Sequence, residues 1–128
     1  MKLATFNDGS RDGQLMVVSR DLSQAQFASG IATRLQQVLD DWNFLSPQLE
    51  DLSQGLNSGK AARAFAFDPH QCLAPLPRAY LRADGLAYPS HLARLRRAGI
   101  TTLAERSDGK PIMWRAADDE LLAAHDEV

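Results

Sequence analysis

Asp84 and His91 are the two side chains whose chemical types and spacing best suit acid–base chemistry. They lie seven positions apart, across a Gly-containing turn and the predicted start of a short helix. A carboxylate and an imidazole placed in this way can reach one pocket, where the imidazole can move a proton near neutral pH. Two other interpretations stay open, because an Asp beside Gly85 is commonly a turn residue and a single His is commonly structural.

The standard metal-binding and nucleotide-binding motifs are missing from the sequence. It contains no P-loop, dinucleotide fingerprint, zinc-protease helix or EF-hand loop. His70 and Cys72 could supply two zinc ligands, but a closed zinc site needs four, so His91 or His125 would have to fold back to assist. We therefore expect no structural zinc site.

Arginines dominate the charge between positions 78 and 97, where Asp84 is the single acidic residue. Arg94, Arg96 and Arg97 could contact phosphate. Nucleic-acid binding usually requires a broader positive surface than a chain with a pI near 5.9 offers. We therefore interpret these arginines as a solvated helix face and expect no nucleic-acid partner, an expectation that steep salt dependence of binding would contradict.

The composition is that of one folded domain. The chain has 128 residues, of which 45% are hydrophobic and 23% are charged, so a packed core is expected and disordered or collagen-like classes are excluded. No apolar run is longer than four residues, the length of the run at residues 15–18, which is far too short to span a membrane. A polar N-terminal segment and a single cysteine, Cys72, predict a cytoplasmic protein without membrane contact.

The N-terminal half is predicted to be a sheet covered by helices. Turn residues separate expected strands over residues 2–6, 14–20 and 24–28. Apolar residues then recur at three- and four-residue steps from position 31 to position 56, which predicts helices packing on that sheet. Ser46 as an N-cap and Pro47 as a first helical residue predict that two helices meet there. Gly55 and Gly59 are the expected stops.

The C-terminal part is predicted to be less regular. Three prolines within residues 65–80 forbid a long helix and indicate an extended connector. A short helix is expected over residues 90–98, with Ser90 as its N-cap and Gly99 as its end. The remaining expectations are a turn at positions 108–109, an apolar segment at 112–114, and a stretch of helix-forming residues at 118–124.

A set of short segments carries a resemblance to a known family. They are KLAT at 2–5, DGSRDGQL at 8–15, VVSRDL at 17–22, FDP at 67–69, PLPRAY at 75–80, ADG at 83–85, AY at 87–88, and His91. Together they resemble the start of bacterial fumarylacetoacetate hydrolase family proteins. The similarity runs from residue 1 to about residue 91 and is patchy afterwards.

This resemblance implies an N-terminal domain that supports the fold and a homodimer, followed by a catalytic domain. The family's reaction hydrolyses a carbon–carbon bond in acylpyruvate or β-diketo acid substrates. The resemblance implies Mg²⁺ or Ca²⁺ in the complete enzyme, with Asp84 as one metal carboxylate and His91 as the general base. The strand, turn and helix patterns described above predict the fold class: α+β, with a small N-terminal antiparallel sheet, an amphipathic helical pair and an irregular C-terminal third.

The sequence departs from the family pattern in its last third. Trp114 stands where the family has a tyrosine, and the family's further metal ligands, a Glu-x-Glu pair and an Asp, are implied beyond Val128. One carboxylate does not hold a hard cation, so we expect weak or no Mg²⁺ binding and no activity from these residues alone.

Two interpretations of the chain are compatible with this resemblance. In the first, residues 1–74 are an α+β domain, and residues 75–128 are a connector and the incomplete beginning of a catalytic domain. In the second, the chain is a non-catalytic module for dimerisation or for binding a partner. A Glu-x-Glu segment encoded after Val128 would favour the enzyme, and a stop codon the module.

Overall fold

The computed structural model describes residues 1–86, 88–100, 111–116 and 121–127. The chain divides into two compact units. The first comprises Met1–Arg78 with Glu120–Val128, and the second comprises Ala79–Asp119. Within the described ranges no helix is long and apolar enough to cross a membrane.

The first unit is built on a four-stranded antiparallel sheet, in the order β1 (Lys2–Phe6), β2 (Gln14–Val18), β3 (Gln24–Phe27) and β4 (Phe65–Ala66). The three predicted strands are present, and β2 and β3 end slightly earlier than expected. Leu3 pairs with Val17 between β1 and β2, and Val17 pairs with Gln26 between β2 and β3. A fourth, two-residue strand lies in the segment predicted to be a connector and pairs with Gln24 and Ala25.

The central strand β2 is buried on both faces, as its apolar run predicted. Residues Leu15 to Val18 are each at most 2% exposed. Leu15 and Val17 lie on the face that contacts the helices, whereas Met16 and Val18 pack against the opposite cluster. Side chains alternate across a strand, so a strand apolar at every position needs cover on both sides.

The helical pair is present, but its two helices meet at Asp41 rather than at Ser46. Helix α1 spans Leu35–Asp40 and helix α2 spans Trp42–Asn57. Asp41 breaks the helix with φ −134° and ψ 51°. The prediction that Ser46 is an N-cap is therefore wrong, and Pro47 lies inside α2, in its second turn. There the proline removes one intrahelical hydrogen bond, to the carbonyl of residue 43, while the apolar face continues through it.

The end of α2 distinguishes the two predicted glycine stops. Gly55 lies within the helix, so the prediction that it ends the helix is wrong. Gly59 adopts φ +71°, and the backbone N–H of Lys60 donates to the carbonyl of Gly55 at 3.0 Å. A residue in the left-handed conformation, followed by a backbone hydrogen bond to the last turn, commonly ends an α-helix. The prediction that Gly59 is a stop is therefore confirmed.

The helices cover one face of the sheet, which confirms the predicted α+β packing. Val38, Leu49 and Leu56 are at most 2% exposed and join Leu15 and Val17 in one cluster. The apolar face of the helices is not covered throughout its length. Three apolar side chains near the α1–α2 junction are exposed: Leu39, Trp42 and Phe44.

The second unit contains a two-stranded antiparallel sheet and one helix. Strand β5 (Ala83–Leu86) pairs with strand β6 (Ile112–Arg115), so the predicted apolar segment at 112–114 is a strand. Helix α3 spans Pro89–Arg97 and ends before Gly99, whose φ is +76°. Its N-cap is Tyr88, so the prediction that Ser90 caps this helix is wrong. Pro89, whose fixed φ suits the first helical position, begins the helix one residue earlier.

Two expectations concern residues beyond the described ranges. The turn at 108–109 lies outside them, as do positions 118–120 of the predicted helix-forming stretch. The described part of that stretch, from residue 121 onwards, contains no helix. In the connector, a single 3₁₀ turn at Pro69–Gln71 is capped by Asp68, whose side chain accepts from the His70 N–H at 3.0 Å.

Candidate active-site residues

Asp84 lies on strand β5, directly opposite Trp114 of β6. Its side chain is exposed, and the neighbouring Gly85 pairs with Met113. The alternative that Asp84 is a turn residue is therefore wrong, because both Asp84 and Gly85 belong to a paired strand. The paired strand fixes the backbone that carries the Asp84 carboxylate, and the carboxylate itself is exposed to solvent.

His91 lies in the first turn of α3, and its backbone N–H donates to the carbonyl of Tyr88 at 3.0 Å. Its side chain is exposed and lines an open pocket of about 300 Å³. The described lining residues are Tyr88, Ser90, His91 and Arg94. Residues three and four positions apart share a helix face, which is why Arg94 lies beside both Ser90 and His91.

This pocket combines an imidazole, a guanidinium and two hydroxyl groups. None of its described lining residues is acidic, so the pocket suits a substrate with a negatively charged oxygen group. The guanidinium can hold a carboxylate through paired hydrogen bonds while the imidazole accepts a proton from water. Asp84 is not among the described lining residues.

Sequence reasoning missed Tyr88 and Ser90 and assigned Arg94 only to a solvated surface. A helix beginning at Pro89 would have indicated the grouping, because it places residues 90, 91 and 94 on neighbouring positions of one face. The prediction that Ser90 is the N-cap concealed this grouping. The side chain of an N-cap residue is expected to bond to the first turn of the helix instead of facing a pocket.

The described residues do not fit a divalent cation. Among them there is no group of three or more His, Cys, Asp or Glu side chains able to hold a metal ion. Mg²⁺ and Ca²⁺ require several oxygen ligands, with protein carboxylates supplying the charge. Asp84 alone does not meet this requirement, so no catalytic step is assigned to a metal bound by these residues.

His70 and Cys72, the two candidate zinc ligands, contact different residues. The rings of His70 and His125 are 4.0 Å apart between centroids. Cys72 instead directs its thiol toward the carbonyl of Asp68, with Sγ 3.8 Å from the oxygen. Partial burial, and secondarily the charge of Asp68, raise the pKa of the Cys72 thiol, which makes it a poorer metal ligand.

The first unit is the part of the chain that matches a known protein family. Residues 1–78, more than half of the chain, match the family described as "Fumarylacetoacetase N-terminal domain 2". The chain therefore belongs to this family, and its four-stranded sheet with the helical pair is a fumarylacetoacetase N-terminal domain. The resemblance drawn from the sequence is confirmed over this range. No curated protein matches the chain.

Proposed function

We propose that this chain is the N-terminal part of a fumarylacetoacetate hydrolase-like enzyme that cleaves a carbon–carbon bond in acylpyruvates or β-diketo acids. The observation that carries the proposal is the family match over residues 1–78. In this proposal the first unit supports the fold, and residues after 78 contribute part of the reaction site. The divalent cation that the family implies takes a complete ligand set only with groups that the described residues lack.

His91 is the proposed general base and Arg94 the proposed anchor for the substrate carboxylate. Both line one open pocket without an acidic neighbour among its described lining residues. An imidazole is suited to take a proton from water near neutral pH, and a guanidinium is suited to a planar carboxylate. Asp84, exposed on β5, is the proposed metal carboxylate of the complete enzyme.

The first experiment measures metal binding and turnover on the 128-residue chain. Mg²⁺ is titrated by calorimetry into the chain and into Asp84→Asn, and acylpyruvate hydrolysis is followed on the same samples. We expect no tight binding and no turnover from either protein, because one carboxylate does not hold the cation. Tight binding that disappears in Asp84→Asn, together with turnover by the unmodified chain, would contradict the proposed partial site.

A second experiment tests the pocket itself, with pyruvate as the probe and amide NMR shifts as the readout. We expect pyruvate to shift the amides of His91 and Arg94, and Arg94→Gln to weaken that binding about tenfold. Arg97→Gln is the matched control, since Arg97 lies on the same helix but not among the described lining residues. Equal binding by all three proteins would remove Arg94 from the proposal.

A second candidate function is dimerisation through the α1–α2 junction. There Leu39 and Trp42 are each 45% exposed and Phe44 is 67% exposed, within six consecutive residues. We propose a second copy of this chain as the occupant, because clustered exposed apolar side chains favour self-association. Sedimentation equilibrium should show a dimer that Phe44→Ser weakens and Met113→Ser, a similarly exposed apolar control, does not.

A further inference from the structure

A groove of about 490 Å³ lies in the first unit where the sheet edge, helix α2 and the segment before β4 come together. It is separate from the pocket at His91 and has no role in the proposed function. Apolar side chains form much of it, including Ile31 and Leu52. Gln26, Phe27, Ser29, Gly30 and Arg63 also line it.

The groove opens where β4 stops pairing with β3. The two strands pair only at Gln24 and Ala25, although β3 continues to Phe27. Ala28 donates its backbone N–H to Leu15 on the β2 side, so the alternation of an antiparallel strand turns the backbone groups of Phe27 toward the open edge. Among the described residues no backbone hydrogen bond joins Phe27 to the segment before β4.

Gln26 provides a polar group on the helix-facing side of this edge. It pairs with Val17, and Val17 belongs to the cluster beneath the helices. Its Oε1 is buried and has no hydrogen-bond partner among the described residues. The amide nitrogen makes no hydrogen bond within the described residues, and the side chain lines the groove, so this nitrogen can donate to a ligand there.

Arg63 supplies the charge. Its side chain is exposed, and none of the ion pairs among the described residues involves it. The groove has no acidic lining residue within the described ranges. An apolar groove with one cation and an amide donor is complementary to a molecule with an apolar body and one carboxylate.

We propose that this groove binds a small aliphatic monocarboxylate. Its carboxylate contacts the Arg63 guanidinium, the Gln26 amide nitrogen and the edge-facing backbone N–H of Phe27, and its alkyl body packs on Ile31 and Leu52. A dicarboxylate is disfavoured, because its second charge would be placed against apolar walls without a partner.

The test titrates 4-methylpentanoate into the 128-residue chain and follows backbone amide shifts by NMR. We expect saturable shifts at Phe27, Ser29, Gly30 and Leu52, with weaker binding of succinate. The neutral analogue 4-methylpentanamide should bind about tenfold more weakly, since it lacks the charge that Arg63 recognises. Shifts of equal size and affinity with the amide would overturn the proposal, because apolar contact alone would explain them.

Two variants assign the contacts. Arg63→Gln and Gln26→Leu should each weaken 4-methylpentanoate about fivefold or more, whereas Arg20→Gln, which changes an exposed arginine outside the groove, should not. Gln26→Leu also removes the unpartnered buried oxygen, so its fold is expected to persist. Shifts at the same amides that depend on protein concentration without added carboxylate would instead show a second copy in the groove and overturn the proposal.

Discussion

Arg78 and Asp12 are joined by two hydrogen bonds, although 66 positions separate them. The Arg78 Nε donates to Asp12 Oδ1 at 2.6 Å, and the Nη2 of the same guanidinium donates to Oδ2. Arg34 approaches the same carboxylate at 3.3 Å. Asp12 lies in the β1–β2 turn and Arg78 is the last residue of the family match, so this pair fastens the end of the domain to its beginning.

Loss of this pair should lower stability in a pH-dependent way. The Arg78 hydrogen bonds hold the pKa of Asp12 below its usual range. A carboxyl whose folded pKa is depressed stabilises the fold above its unfolded pKa, and that contribution is lost as the pH falls through the folded value. Arg78→Gln should therefore lower the urea midpoint near pH 6 and lose that effect in acid.

The control for this prediction is Arg20→Gln, which removes another exposed arginine from the same unit. We expect it to leave the urea midpoint nearly unchanged at both pH values, as is usual for a surface charge. An equal loss in the two variants would mean that total charge, rather than the Asp12 contact, sets the effect.

Gly13 and Gly9 form a matched pair that separates backbone strain from steric conflict. Both have positive φ, at +61° and +82°. A Cβ at Gly13 would lie 2.5 Å from the carbonyl oxygen of Phe6 and 2.6 Å from Thr5 Cγ2, whereas at Gly9 it would meet nothing within 4 Å. Gly9→Ala should cost about 1 kcal/mol and Gly13→Ala more than about 3 kcal/mol in urea unfolding. Equal losses would contradict the close approach at Gly13.

Asp21 should add a second acid-sensitive contribution to stability. It accepts hydrogen bonds from the Ser19 hydroxyl at 2.6 Å and from the Ser23 hydroxyl and backbone N–H, which lower its pKa to about 2. Its folded pKa is depressed, so the stabilisation is present above the unfolded value of 3.8 and is lost as the pH falls toward 2. Asp21→Asn should flatten the stability profile in that window, measured by urea unfolding. An unchanged slope would exclude this turn as the titrating element.

The sheet and the helical layer were predictable because their signals are local. The apolar residues of β2 and the turns on either side define the strands, and a period near 3.6 residues defines the helices. The boundary at Asp41 was not predictable from these signals. Asp is a common N-cap residue, but Asp41 makes no side-chain cap hydrogen bond, and Ser46 followed by Pro47 gave the stronger sequence signal of a helix start.

The candidate sites were less accessible to sequence reasoning. Residue type and spacing singled out Asp84 and His91, and the resemblance supplied their roles, which stay predictions. The surroundings of His91 depend on where α3 begins, which Pro89 decides. The groove at Gln26 and Arg63 unites residues 37 positions apart across the edge of a sheet, and no periodicity of the sequence relates them.

Pro47 offers a direct test of the observed helix boundary. In α2 it lies in the second turn and exposes its ring, so Pro47→Ala restores one backbone hydrogen bond and improves helix propensity. We expect the free energy of unfolding to rise by about 1 kcal/mol or more in urea denaturation. Pro69→Ala is the matched control, because Pro69 begins a 3₁₀ turn where its fixed φ is favourable and no N–H is required. It should leave stability unchanged or lower it. If Pro47→Ala were neutral or destabilising like the control, Pro47 would occupy a helix start, and the boundary at Asp41 would be wrong.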